Sequence, residues 1–193
     1  MILTARTIAD ELKKDYKNPK CKLEKLVKQG KYTPIIRGFY ETNPKTAGYL
    51  LSGFYSPSYL SFEYALSRYG LIPEQAFAYT LATCGKNRSK EYRTPFGYYY
   101  FQDVPRDVYP FGLRILKENG YIYWMATPEK ALCDQLYSIK PIEHKRYFEN
   151  LLFDDMRVYE DSLDDMDVKL ISEIAPLYHS TNVTLFSKLM ETR

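Results

Sequence analysis

Histidine, cysteine and tryptophan are scarce in this 193-residue chain: two, three and one, respectively. Cys21, Cys84 and Cys133 stand far apart. They supply neither a disulfide framework nor a Cys-x-x-Cys ligand set. A reducing cytoplasm is the simplest expected home. His144 and His179 have no metal-ligand spacing around them. No run of about 18 apolar residues occurs, so no membrane span is expected. Met1-Ile-Leu-Thr-Ala-Arg lacks the basic and long apolar regions of a secretory signal. Glycine-rich phosphate loops, a Walker motif and Gly-x-Ser-x-Gly are absent too. The expectation is a protein that is not an enzyme, with no cofactor and no metal.

What is present is a 45% hydrophobic composition and 20 tyrosines, enough for a packed core. Net charge is +3, unevenly spread. Residues 1–45 carry 11 basic against 5 acidic side chains, and residues 141–193 carry 6 against 11. A basic head and an acidic tail imply different partners for the two ends.

The head, residues 1–45, reads as a unit. A helix is expected over Thr4–Tyr16, with Thr4 as its cap and Ile8, Leu12 and Tyr16 inward. A second begins at Asn18-Pro19, asparagine as cap and proline at the first position. Leu23, Leu26 and Val27 form its buried stripe, and Gly30 ends it. Tyr32–Tyr40 is extended, turning at Arg37-Gly38. Two helices and a hairpin, the second helix basic, form the layout of a winged helix-turn-helix. Such a fold usually has three helices, and only two fit here between Met1 and the hairpin. Either the larger domain supplies the third support, or the unit no longer binds DNA.

The whole chain is expected to be a two-domain α+β protein, and residues 46–193 read as a mixed α/β domain with a helical tail. A helix starts at Ser58 or Ser61 and stops at Gly70. Strands are expected over Glu74–Cys84 and Tyr92–Phe101, the second interrupted by Pro95 and Gly97. Leu113–Lys117 and Tyr121–Ala126 flank Asn119-Gly120, the strongest short hairpin signal. Trp124–Ile139 then joins a strand end to a helix capped by Thr127, with Pro128 at its first position and Glu129 meeting its positive dipole end. Ala131, Leu132, Gln135, Leu136 and Ile139 make its inward face. Lys130 and Asp134 are expected as an exposed i, i+4 pair opposite, and Cys133 near the core. Tail helices are expected over 143–155, 164–175 and 181–192. Asp154, Asp155, Asp161, Asp164, Asp165 and Asp167 lack the spacing of an EF-hand loop. They are read as solvating a loop and capping the helix near 164.

Two surfaces could carry function. On the second helix and around it, Lys20, Lys22, Lys25, Lys28, Gln29 and Lys31, with Arg6 and Arg37, form a candidate DNA footprint. Lysines there neutralise phosphates, and an arginine beside a turn glycine suits a wing contact. The competing reading is a solvated lysine face. Lys86, Arg88, Lys90 and Arg93, beside Tyr92, mix basic and aromatic residues as nucleic-acid surfaces do. They serve equally as an ordinary exposed loop. Tyr98-Tyr99-Tyr100-Phe101 must alternate between core and surface.

Four blocks carry a family resemblance. They are Leu23-Glu-Lys-Leu-Val-Lys-Gln-Gly with Arg37-Gly-Phe-Tyr, the run Tyr59–Glu74, Arg93-Thr-Pro-Phe-Gly, and Ala126-Thr-Pro-Glu-Lys-Ala-Leu-Cys-Asp. In this order they resemble the AbiEi-type antitoxins of type IV toxin–antitoxin systems, which are associated with abortive phage infection. The resemblance implies an amino-terminal winged helix that binds promoter DNA, with inverted repeats as the expected operator, and represses its own operon. It implies that the larger domain counteracts a nucleotidyltransferase toxin without requiring a stable complex. The second helix matches the family's recognition helix, and Arg37-Gly38 its wing. Two alternatives stand beside this reading: a stand-alone winged-helix transcriptional regulator, and a protein-interaction module that binds no DNA.

Overall fold

The computed structural model describes residues 1–142 and 144–193. The head begins with a short strand, β1 (Leu3–Thr4), which runs into helix α1 (Ala5–Leu12). Helix α2 (Pro19–Lys28) and strands β2 (Thr33–Ile36) and β3 (Phe39–Glu41) follow. The Thr4 hydroxyl accepts the Thr7 amide at 3.0 Å, and the Asn18 side chain accepts that of Cys21 at 3.2 Å. Each satisfies an amide that has no partner inside its helix. Gly30, at φ +75°, carries the chain out of α2 in the left-handed conformation, and the Lys31 amide bonds back to the Leu26 carbonyl. The strands form an antiparallel sheet in the order β1-β3-β2. Ile8, Leu23, Leu26 and Tyr32 make a small core of their own. Ile35 of β2 belongs instead to the larger core, so the hairpin leans on the rest of the chain.

After a 3₁₀ turn at Gly48–Phe54 come β4 (Tyr59–Leu60), α3 (Phe62–Tyr69), β5 (Tyr79–Thr83), β6 (Lys90–Thr94) and β7 (Gly97–Asp103). Next are β8 (Leu113–Glu118), β9 (Tyr121–Ala126) and α4 (Pro128–Ser138). The six strands form one mixed sheet in the order β6-β7-β5-β4-β9-β8. Two pairs are parallel, β4 with β9 and β5 with β7. Asn119 and Gly120 both have positive φ, as the two-residue turn of the β8–β9 hairpin requires. The tail is α5 (Lys145–Asn150), α6 (Val168–Ile174) and α7 (Thr181–Glu191), joined by tighter and wider helical turns.

Several expectations change. The first helix ends at Leu12 rather than Tyr16, whose side chain is exposed instead of inward. The strand expected from Glu74 begins only at Tyr79, because Gln75–Ala78 has no pairing partner among the described residues. Tyr92–Phe101 is not one strand but a hairpin. Pro95 and Phe96 form its turn, and Arg93 lies opposite Tyr98. Its aromatics do alternate: Tyr99 and Phe101 are buried, whereas Tyr98 is exposed. The helix expected near 164 starts at Val168, and its cap is Asp167, which accepts the Leu170 amide at 3.0 Å. The helix expected over 143–155 starts at Lys145 and passes into a wider turn at Leu151–Asp155. Residue 143 lies outside the described residues.

The largest correction concerns α4. Lys130 and Asp134 are not an exposed pair; both are fully buried. Helix α4 packs against α3 and β9, and also against α6 and α7, so nearly all its faces are covered. The Lys130 ammonium lies 2.6 Å from Asp134 Oδ1 and donates to the Tyr178 hydroxyl at 2.7 Å. Asp134 also accepts the hydroxyls of Tyr178 (2.6 Å), Ser61 (2.6 Å) and Tyr59 (3.0 Å). A buried pair of this kind gives little net gain over a well-packed apolar pair, but losing one member strands a charge. Lys130→Met is therefore expected to lower the unfolding free energy by about 3–5 kcal/mol. Lys169→Met, at an exposed pair with Glu173, should change it by less than about 1 kcal/mol. Urea denaturation distinguishes them, and equal losses would contradict this account.

Candidate nucleic-acid interface

The N-terminal half of α1, one flank of α2 and the β2–β3 hairpin enclose an open groove of about 700 Å³ on the head. Its apolar floor includes Ala5, Ala9, Leu23, Val27 and Tyr40. Four cations line it: Arg6 from α1, Lys20 and Lys28 from α2, and Arg37 from the hairpin turn. Glu24 is the one acidic side chain in its lining. The helical repeat of about 100° per residue explains the selection. Lys20, Glu24 and Lys28 recur at i, i+4 and i+8, so they share a flank, and that flank faces the hairpin.

The other residues of the expected footprint lie elsewhere. Lys22, Lys25, Gln29 and Lys31 do not line the groove. Lys22 is held against the Tyr16 ring, its ammonium 4.4 Å from the centroid. The structure thus gathers Arg6, Lys20, Lys28 and Arg37 from the expected set and leaves the rest outside the groove. Glu24 belongs to the groove as well, and its i+4 spacing from Lys20 is the only mark of this in the sequence.

The second expected surface is divided as well. Lys86 points to Tyr55, with its ammonium 5.2 Å from the ring centroid and 3.3 Å from the Ser56 carbonyl oxygen. Arg93 lies over Tyr98 at 5.5 Å. Strand alternation puts Arg93 and Lys90 on opposite faces of β6. Arg88 is exposed in the preceding loop. Lys86, Arg88, Lys90 and Arg93 therefore form no single basic patch. The exposed pair Tyr98 and Phe77, with ring centroids 5.4 Å apart, remains beside Arg93.

The most chemically dense cluster is the Lys130–Asp134 network, and it is closed to substrate. Lys130, Asp134, Tyr59 and Ser61 have no exposed surface, and Tyr178 has 1%. Burial first, and the Asp134 carboxylate second, push the Tyr59 and Tyr178 hydroxyls well above the usual tyrosine range. Cys133 is fully buried beside them, and burial raises its thiol so that it stays protonated. No group of three or more histidine, cysteine or acidic side chains among the described residues is placed to hold a metal ion. None of the helices among those residues is long and apolar enough to cross a membrane. Compared with known proteins, the chain matches no protein-family model and no curated protein.

The tyrosines set a pH dependence. Burial pushes Tyr109 up to about 12 from its ordinary 10. Tyr49 rises to about 12 too, chiefly through its hydrogen bond to Glu118. These groups bind protons more tightly when folded. Their contribution is complete below pH 10, the unfolded value. It is lost as pH rises through the folded values, because the unfolded chain then binds fewer protons. Stability should accordingly be level through neutral pH and fall steeply above about 10. Tyrosinate absorbance should show a delayed fraction that ionises together with loss of ellipticity. Free titration of every tyrosine in the folded chain would contradict this.

Proposed function

We propose that the chain is a DNA-binding autoregulator of the AbiEi antitoxin type, with a winged helix at its head. The observation that carries this reading is the convergence of Arg6, Lys20, Lys28 and Arg37 on one groove between α2 and the hairpin turn. The head's connectivity supports it. Helices α1 and α2 lie between β1 and β2, the sheet order is β1-β3-β2, and Arg37 and Gly38 of the β2–β3 turn line the same groove as α2. This order is compatible with a helix-turn-helix followed by a wing. In this reading α2 enters the major groove of promoter DNA, and Arg37 contacts a phosphate or the adjacent minor groove. Occupancy of an inverted-repeat operator represses the operon. The four sequence blocks that resemble this family support assigning antitoxicity toward a nucleotidyltransferase toxin to the larger domain. No stable complex with the toxin is needed for that assignment.

The test is a mobility shift on the DNA upstream of the chain's own gene. Each phosphate contact removed should flatten the slope of log K against log salt by about 0.9. Lys20→Ala/Lys28→Ala/Arg37→Ala should weaken binding across sequences and flatten that slope by about 2–3. Lys22→Ala/Lys25→Ala, off the groove, should have the smaller effect. Both variants should still rescue cells expressing the adjacent toxin gene. Salt-independent binding, or loss of rescue by a folded groove variant, would contradict the proposed division of labour.

A further inference from the structure

The six-stranded sheet has two edges, and they are treated differently. At one, β2 lies alongside β6. At the other, β8 has only β9 as a strand partner among the described residues. The hairpin fixes which way its backbone faces. Glu118 lies opposite Tyr121 across the two-residue turn, Leu116 opposite Tyr123, and Arg114 opposite Met125. These three direct their amides and carbonyls inward to β9. Leu113, Ile115 and Lys117 therefore direct theirs outward. No backbone group from beyond the sheet bonds to them among the described residues. Neither a proline nor a bulge interrupts β8, although both are common protections of an open edge. Ile115 and its cross-strand partner Trp124 are 62% and 44% exposed, and Ile122 is 65% exposed on the same face.

The geometry points to self-association: β8 pairs antiparallel with β8 of a second copy across a two-fold axis. Residues directly opposite each other must lie on the same face of the joined sheet. Two central registers satisfy that rule. With Ile115 on the axis, Arg114 faces Leu116 and Lys117 faces Leu113, so neither cation meets an opposite charge. With Leu116 on the axis, Ile115 and Lys117 of the second copy exchange both backbone hydrogen bonds. Arg114 then stands opposite Glu118 of the second copy in a non-hydrogen-bonded pair, where Cα atoms approach to about 4.5 Å. The two-fold axis makes that ion pair twice. Charge complementarity selects the Leu116 register, and it selects a second copy as the partner because Leu-Arg-Ile-Leu-Lys-Glu is complementary to itself. Glu118 is already positioned, since its Oε1 accepts the Tyr49 hydroxyl at 2.6 Å. On the outer face, the Lys117 stem of each copy lies beside Ile115 of the other. The apolar strip then runs on across the axis.

Light scattering on the full chain at tens of micromolar tests this. The expected mass is twice the 22.7 kDa of one chain. Arg114→Glu alone and Glu118→Arg alone place like charges opposite each other and should give monomers. Arg114→Glu/Glu118→Arg restores both pairs with their sense reversed and should restore the dimer. Circular dichroism checks that each variant folds. Amide exchange on the unmodified chain gives a second readout, with the Ile115 and Lys117 amides gaining protection as concentration rises. The inference is overturned by a monomeric wild type, by single variants that remain dimeric, by a folded double variant as monomeric as the singles, or by concentration-independent exchange at Ile115 and Lys117.

Discussion

The Asp134 carboxylate is the constraint on which the larger domain depends. It is buried with four hydrogen-bonding partners: Lys130 from its own helix, Tyr59 and Ser61 from the β4 region, and Tyr178 from the tail. A charge without exposed surface is tolerated only when its lone pairs are occupied, so these segments must arrive together. Local preferences yield to that demand. Ser61 stands at the cap of α3, yet its hydroxyl donates to Asp134 and makes no capping bond. Phe62, next in the chain, has φ +54°, an unfavourable conformation for a bulky residue. The network offsets the unused cap and the backbone strain.

Much of the fold was legible where a single turn of chain decides the outcome. Thr4, Asn18, Thr127 and Gly30 end or begin helices through bonds to residues three to five positions away. The Asn119-Gly120 hairpin is equally local. The burial of Lys130 and Asp134 was not legible. It depends on α6 and α7 covering a face of α4 that periodicity assigns to solvent. Pro95 and Gly97 read from sequence as an interruption of one strand, because neither Pro95 nor Phe96 is the glycine or asparagine usual at a two-residue turn. The basic head was visible as composition, but its division was not. Whether a lysine on α2 serves the groove depends on which flank the hairpin approaches, and tertiary packing sets that.

Head and body are coupled by packing more than by charge. The head has a small core, and four buried residues cannot by themselves supply much stability. Ile35, from the strand that leads to the Arg37 turn, is anchored in the larger core. The position of the hairpin relative to α2, and hence the shape of the groove, is set in part by the larger domain. Changes within the body can therefore reach the proposed DNA surface without touching it.

The spread of the Asp134 network along the chain bears on how the protein is made. Ribosomes add about 5–20 residues per second, and domains fold as their parts emerge. Lys130 and Asp134 leave the ribosome before Tyr178, which bridges them and covers one side of the pair. Until then the central helix holds two charges with no tail to enclose them. The body must wait for its last segment, so a chain cut short by stalled synthesis leaves that pair open to water.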